Sequence, residues 1–406
     1  MVDKITYSTF QGLRPHFDAL AKVGYIKIIS KPLSPLKKSL HNFYRGFVFA
    51  LVIGYNLQHI IRVIQVRHSI EKMVDTLFIL LTILNTLGKQ AAFKLRSRRI
   101  DQIVSVINGP CFAPTKSYHV KILKENALVM CRLLRLYQGA AISCGCLWTI
   151  FPIVNRALGV DVEFTGYLPF DTTCTPTFAL GLTYMSVLIT VQGLGNVAMD
   201  CTIVAFYAQA KIQIQMLRYN LEQLLEEGDD AKIRPKTIKT SNENVYDDDN
   251  EKAQTQERLI KCIHHYDTIV RFTKEVESIF GEAMVIQFFV MAWVICMTVY
   301  KIVGLSILSV EFVSMAAYLG CMLAQLYIYC YYGTQLKVES EYINQSIYCS
   351  RWLALSPRFR RQLLVMMQFC SRPLVPRTAY IIPMSLETYI AVLRTSYTLF
   401  TFLKRG

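Results

Sequence analysis

Long apolar runs alternate with short polar or charged stretches along the whole chain. A run of about 20 apolar residues, at 1.5 Å of rise each, crosses a bilayer core. Such runs fall at residues 43–61, 73–93, 133–158, 178–207, 280–303, 313–332 and 385–403. The pattern predicts an all-α membrane protein with seven transmembrane helices. Lysine and arginine mark the cytoplasmic side of such proteins. Of the 44 lysines and arginines, 35 lie in or beside the segments before the first span and after the second, fourth and sixth. The segments on the other side hold 7, a bias of five to one. The expected orientation is therefore N-terminus cytoplasmic and C-terminus extracellular. G-protein-coupled receptors have the opposite orientation, and their Asp-Arg-Tyr and Asn-Pro-x-x-Tyr motifs do not occur in the third and last spans.

Composition agrees with a membrane protein. Of 406 residues, 53% are hydrophobic and 18% charged. The first 25 residues lack an apolar stretch followed by a small-residue cleavage site, so the first span is expected to direct insertion. The net charge of +15 is explained by the sidedness of the loops and implies no nucleic-acid partner. The twelve cysteines are scattered, without a CxxC pair, which points to small packing residues rather than a zinc site or disulfide framework. No Walker loop, GxSxG or HExxH motif occurs, so neither an enzyme nor a cofactor is expected.

The longest loop, about residues 210–279, starts and ends with apolar residues at helical spacing. Its centre, residues 227–254, is polar and charge-blocked and is expected to be disordered. Asp247–Asp249 there reads as a solvated acidic run rather than a calcium loop. His264 and His265 read as polar-face residues, since neighbours on a helix point in different directions. Asp200 lies in the inner part of the fourth span, where a carboxylate either pairs with a basic residue of the bundle or sits at the interface.

The last run reads SLETYIAVLRTSYTLFTFL. At 100° per residue, Thr388, Ala391, Thr395, Thr398 and Phe402 share one stripe, flanked by Arg394. Leu386, Ile390, Leu393, Tyr397 and Phe400 share nearly the opposite one. A row of small hydroxyls closed by an aromatic suits a helix lining a water-filled path shared by several subunits. The same residues also serve ordinary helix–helix contacts. Ser385 is placed to cap the helix, and Glu387 in its first turn suits the helix dipole or a cation-attracting mouth.

From the sixth span onward the chain resembles the insect odorant receptor family. The resemblance rests on Gly333, Ser340, Tyr348 and Trp352, the basic cluster 358–361, and Pro373. The closing Leu-Glu-Thr-Tyr of residues 386–389 and Arg-Thr-Ser-Tyr of residues 394–397 complete it. It implies an insect odorant receptor channel fold: four subunits around a cation pore lined by the last helix, with Glu387, Thr388, Ala391, Thr395, Thr398 and Phe402 facing the pore. The valine-rich ending of the shared co-receptor is missing here, so the chain resembles an odorant-tuning subunit. That implies a heterotetramer with the co-receptor, lipid around it, and location in the plasma membrane of sensory neurons. The Ser-Tyr at 396–397 also departs from the pattern of the related gustatory receptors.

In this family a small volatile molecule binds in the outer half of the bundle. The candidates there are Phe78, Leu81, Cys144, Trp148, Tyr184, Met185, Leu188, Cys296, Tyr300 and Tyr318. The resulting division is a cytoplasmic N-terminal segment (1–42), spans one to four with the pocket (43–209) and a partly helical cytoplasmic loop (210–279). Spans five and six (280–334), a cytoplasmic anchor region (335–377) and the pore helix with a short extracellular tail (378–406) follow. The rival class is a seven-span receptor using a soluble partner docked on the long loop, or a transporter, although no inverted repeat supports transport.

Overall fold

The computed structural model describes residues 7–28, 34–159, 162, 164–172, 174–224, 244–306, 309–350 and 352–405. The described helices are α1 (Arg14–Lys22), α2 (Pro35–Gln65), α3 (Ile70–Leu95), α4 (Ser97–Ile107), α5 (Ser117–Ala157), α6 (Thr175–Glu222), α7 (Asn244–Val303), α8 (Val310–Cys349), α9 (Pro357–Cys370) and α10 (Leu386–Arg405). Each predicted span falls on one helix, to within a residue at its ends. Six of these helices, α2, α3, α5, α6, α7 and α8, are long and apolar enough to cross a membrane. The seventh, α10, is 20 residues long but carries Glu387 and Arg394.

The helices outrun the bilayer. α6 has 48 residues and α7 has 60, or about 70 and 90 Å at 1.5 Å per residue. Their excess length gathers at one end with α1, α4, α9 and the extensions of α5 and α8, forming a base. α6 is the central helix: 67% of its most apolar stretch is buried inside the molecule, against 6% for α5. A helix apolar all round belongs in the middle, whereas the exposed apolar surface of α5 suits lipid. Small residues let neighbours approach α6 closely. A Cβ on Gly195 would overlap the Tyr25 ring, so the chain after α1 packs directly against the helix backbone.

The base is held by an aromatic spine. Phe17 of α1 meets Phe206 of α6, which meets Phe272 and Phe280 of α7, and Phe272 meets Phe112. Ion pairs flank it, Arg218–Glu339 at 2.6 Å and Arg99–Glu275 at 2.7 Å. Two sequence expectations change here. The stretch 225–243 lies outside the described residues, but from Asn244 onward the chain is already helical, because α7 extends its N-terminal turns there. Asp247–Asp249 are therefore part of a helix backbone rather than of an unstructured run. His265 is not on the polar face. It is buried against Phe112 and shares a 2.8 Å hydrogen bond with the Gln213 side chain, whereas its neighbour His264 is exposed.

Burial lowers His265 and His16 of the base to about 4. An unfolded histidine titrates near 6.5, so between about pH 6.5 and 4 the unfolded chain binds protons that the folded base excludes. Stability is full above that window and falls with acid, by up to about 1.4 kcal/mol per pH unit for each histidine. The melting temperature of purified protein in detergent should drop from pH 7.5 to pH 5. His16→Gln combined with His265→Gln should flatten that slope, and an unchanged slope would locate the acid sensitivity elsewhere.

Candidate functional site

Four helices enclose a cavity of about 120 Å³. Phe78, Thr82 and Thr86 line it from α3; Tyr137, Cys144 and Trp148 from α5; Gln192 and Asn196 from α6; Tyr318, Cys321 and Gln325 from α8. On each helix these residues recur at three or four positions, so one stripe per helix points inward. Phe78, Trp148 and Tyr318 form a mutual cluster, with ring centroids 5.8–6.0 Å apart in tilted and edge-on arrangements. Such pairing favours aromatic surfaces over a merely greasy wall. The Thr82 hydroxyl donates to the Phe78 carbonyl, leaving its lone pair to accept from the Tyr318 hydroxyl at 2.9 Å. The thiols of Cys144 and Cys321 hydrogen-bond each other across α5 and α8. Gly193 leaves space open, since a Cβ there would meet nothing within 4 Å, whereas Gly145 lets the Thr190 side chain of α6 approach α5.

A buried charged pair lies outside the lining and is joined to the cavity through Gln325. Asp200 is buried and accepts from Lys89 Nζ at 2.6 Å and from the Tyr329 hydroxyl at 2.7 Å through one oxygen. Its other oxygen accepts from Gln325 Nε2, which also lines the cavity. Of the two readings open for Asp200, the structure selects the paired one. Lys89 is 1% exposed, so the pair is shielded from water on all sides.

The structure brings Phe78, Cys144, Trp148 and Tyr318 together and leaves the other six candidates outside the lining. Leu81 lies on another face of α3 and packs into the general core. Tyr184 turns toward α2, its hydroxyl donating to Gln58 Oε1 at 3.1 Å. Met185 packs on Gly166 beside His59, and Leu188 is buried core. Cys296 is buried in α7, which contributes no lining residue, and Tyr300 is half exposed. Thr82, Gln192, Asn196 and Gln325 were overlooked. Their signal was present: polar residues at helical spacing inside apolar spans, which membrane helices rarely carry without a use.

α10 forms a second candidate surface. Ser385 accepts from the Thr388 backbone N–H at 3.3 Å, as expected of a cap. The helix docks on α7 and α8 through Tyr389, Val392 and Ser396, whose hydroxyl donates to the Ala292 carbonyl at 3.0 Å. Glu387, Ala391, Thr395, Thr398 and Phe402 are exposed, and Thr388 is half-buried beside the Pro383 carbonyl. Phe402 is 78% exposed. The opposite stripe is only partly covered: Leu386, Leu393 and Phe400 are half-buried, but Ile390 and Tyr397 are 56% and 67% exposed. The docking face is centred on Ser396, about a quarter turn from that stripe, because α10 lies in a groove between two helices rather than against one.

Comparison with known proteins agrees with this geometry. A family model described as 7tm Odorant receptor matches residues 69–397. Odorant receptor 46a of Drosophila melanogaster, isoform B, is 24% identical over 384 residues, covering 89% of each chain. Isoform A is 23% identical over 367 residues and covers 90% of each. The solved insect olfactory receptor OR5 from Machilis hrabei, in complex with eugenol, superposes with a TM-score of 0.81 over 97% of each chain at 15% identity. These relatives are receptors rather than enzymes, and their fold is the all-helical, multi-pass membrane bundle described above. With the family model spanning spans two to seven, this chain belongs to the 7tm odorant receptor family.

Proposed function

We propose that the chain is the odorant-tuning subunit of a ligand-gated, non-selective cation channel. It works with a shared co-receptor in a heterotetramer, in the plasma membrane of sensory neurons. In this reading the base is cytoplasmic, the N-terminus inside and the C-terminus outside, which the clustering of basic residues supports. The small volatile ligand occupies the α3–α5–α6–α8 cavity, whose aromatic wall and few convergent polar groups suit such a molecule. The boundaries at residues 42, 209, 279, 334 and 377 separate the segments named above.

The observation that carries this reading is the face of α10. Its hydroxyl row, Thr395 and Thr398 with Ala391, points away from the subunit's own bundle and ends at an exposed Phe402. An exposed polar row on a spanning helix has no place in lipid but suits a water-filled axis between subunits, where an aromatic ring gates by dewetting. Each threonine hydroxyl donates to the carbonyl four residues back, leaving its oxygen free toward the path.

Expressed with a co-receptor, the chain should give odorant-evoked inward cation current. Phe402→Ala should raise ligand-independent leak several-fold. Thr395→Cys and Thr398→Cys should react with aqueous thiol reagents, and Leu393→Cys should not. Current indistinguishable from that of the co-receptor alone across a broad odorant panel would sink the proposal. The reverse accessibility pattern would turn α10 away from the axis.

A further inference from the structure

The α6 side of the cavity holds polar atoms that the protein leaves unused. Gln192 is 3% exposed, and neither its Nε2 nor its Oε1 has a hydrogen-bond partner among the described residues. One turn further, Asn196 is 9% exposed with Oδ1 unpaired. Trp148 Nε1, across the cavity on α5, is buried and unpaired as well. All three residues line the cavity. Because both atoms of the Gln192 amide are free, the count does not depend on which way that amide is turned.

Native interiors satisfy nearly all their buried polar atoms, and a membrane-spanning segment has even fewer alternatives. Four unpaired atoms on three residues that line one cavity therefore bear on what the cavity receives. Two are donors, Gln192 Nε2 and Trp148 Nε1. The other two, Gln192 Oε1 and Asn196 Oδ1, are acceptors. An ester, ketone or ether can accept but not donate, so it leaves both acceptors unpaired. A hydrocarbon leaves all four. A hydroxyl donates one hydrogen bond and accepts another, and so serves both kinds at once. The remaining wall, with Phe78, Ile79, Tyr318 and Met322, is apolar and aromatic.

We infer that the cavity selects small, predominantly apolar molecules bearing one hydroxyl group, alcohols or phenols, with the hydroxyl seated between Gln192 and Asn196. This rests on the assignment of the cavity as the odorant site. A site built to hydrogen-bond a hydroxyl rejects analogues lacking it more strongly than an apolar pocket rejects a change of one methylene.

The test uses matched sets of an alcohol, its methyl ether and the parent hydrocarbon. Two readouts are taken: half-maximal concentration for current in cells co-expressing a co-receptor, and ligand-induced thermal shift of the purified full chain. The alcohol should be more potent than the ether and the hydrocarbon by about tenfold or more, the equivalent of one good hydrogen bond. In Gln192→Leu and Asn196→Leu that advantage should shrink toward parity. Cooperative melting of the purified, unliganded variants shows that they fold. Equal potency of the three compounds in the unaltered protein would overturn the inference, since resident water would then satisfy the amides. Alcohol preference surviving in both variants would overturn it equally. Absence of any thermal shift, for every compound, would overturn the cavity assignment along with it.

Discussion

Asp200→Leu should destabilise the protein by about 3–5 kcal/mol, because it leaves Lys89 as an uncompensated charge in a dry interior. It also strips the Tyr329 hydroxyl and the Gln325 amide of their shared acceptor. Membrane and soluble domains alike have only about 5–15 kcal/mol of stability, so most of the chain should fail to reach the cell surface. Lys89→Met should cost less, since Asp200 would keep two neutral donors. The double variant Lys89→Met with Asp200→Asn should recover most of the loss, because no charge remains and the asparagine oxygen still accepts from Tyr329. Melting of detergent-solubilised protein, followed by size-exclusion fluorescence, ranks the three. If the double variant is no more stable than Asp200→Leu, the pair is not the interacting unit described here. The network is also the link between the cavity and the lower half of α8. Gln325 lines the cavity and Tyr329 stands one turn below it, so loss of Asp200 should loosen ligand response in whatever protein survives.

The spans were legible in the sequence because lipid imposes a length and a composition that loops cannot imitate. Asp200 was legible as a costly residue, but its partner was not. Lys89 stands 111 positions away, and nothing local distinguishes it from a lysine at the end of a span. The cavity divides in the same way. Phe78, Cys144, Trp148 and Tyr318 are large or soft residues on the parts of their helices away from the base, and they reach it. Tyr184 and Met185 have the same chemistry and do not, because α6 turns that face toward α2 and the loop around Gly166. Spacing gives the stripes of a helix but not the rotation that its neighbours impose. Ser396 illustrates the limit: it looks like one more hydroxyl beside Thr395 and Thr398, yet it is 3% exposed and forms the centre of the docking face. Amphipathic spacing could not reveal that the long loop's second helix begins as early as Asn244, because polar residues cover its first turns.

Gly333→Ala should be the most damaging single-methyl change at the junction between α8 and α10. A Cβ built on Gly333 would overlap the carbonyl oxygen of Met384, far inside van der Waals contact. The neighbouring backbone cannot simply step aside. The Met384 N–H donates to the Pro376 carbonyl at 2.8 Å, and the Leu386 N–H donates to Thr334 Oγ1 at 3.0 Å. Between these ties, Ala379 and Tyr380 make the tight turn of the two-stranded hairpin Arg377–Thr378 and Ile382–Pro383, with φ of 44° and 63°. Non-glycine residues hold such angles only where packing over-determines them. Here Ala379 sits directly on Gly281 of α7, whose added Cβ would lie 2.9 Å from the Ala379 nitrogen. A methyl on Gly333 must therefore move either the hairpin or the start of α10 by more than an ångström, at a cost of about 3 kcal/mol or more. Surface expression should fall sharply and, on the channel reading proposed above, the surviving protein should show disturbed gating, since α10 starts from the displaced segment. Gly320→Ala, a position with open space around it on the same helix, provides the control and should behave as the unaltered protein. Equal behaviour of the two variants would mean that α8 and the α10 junction are not in the contact described.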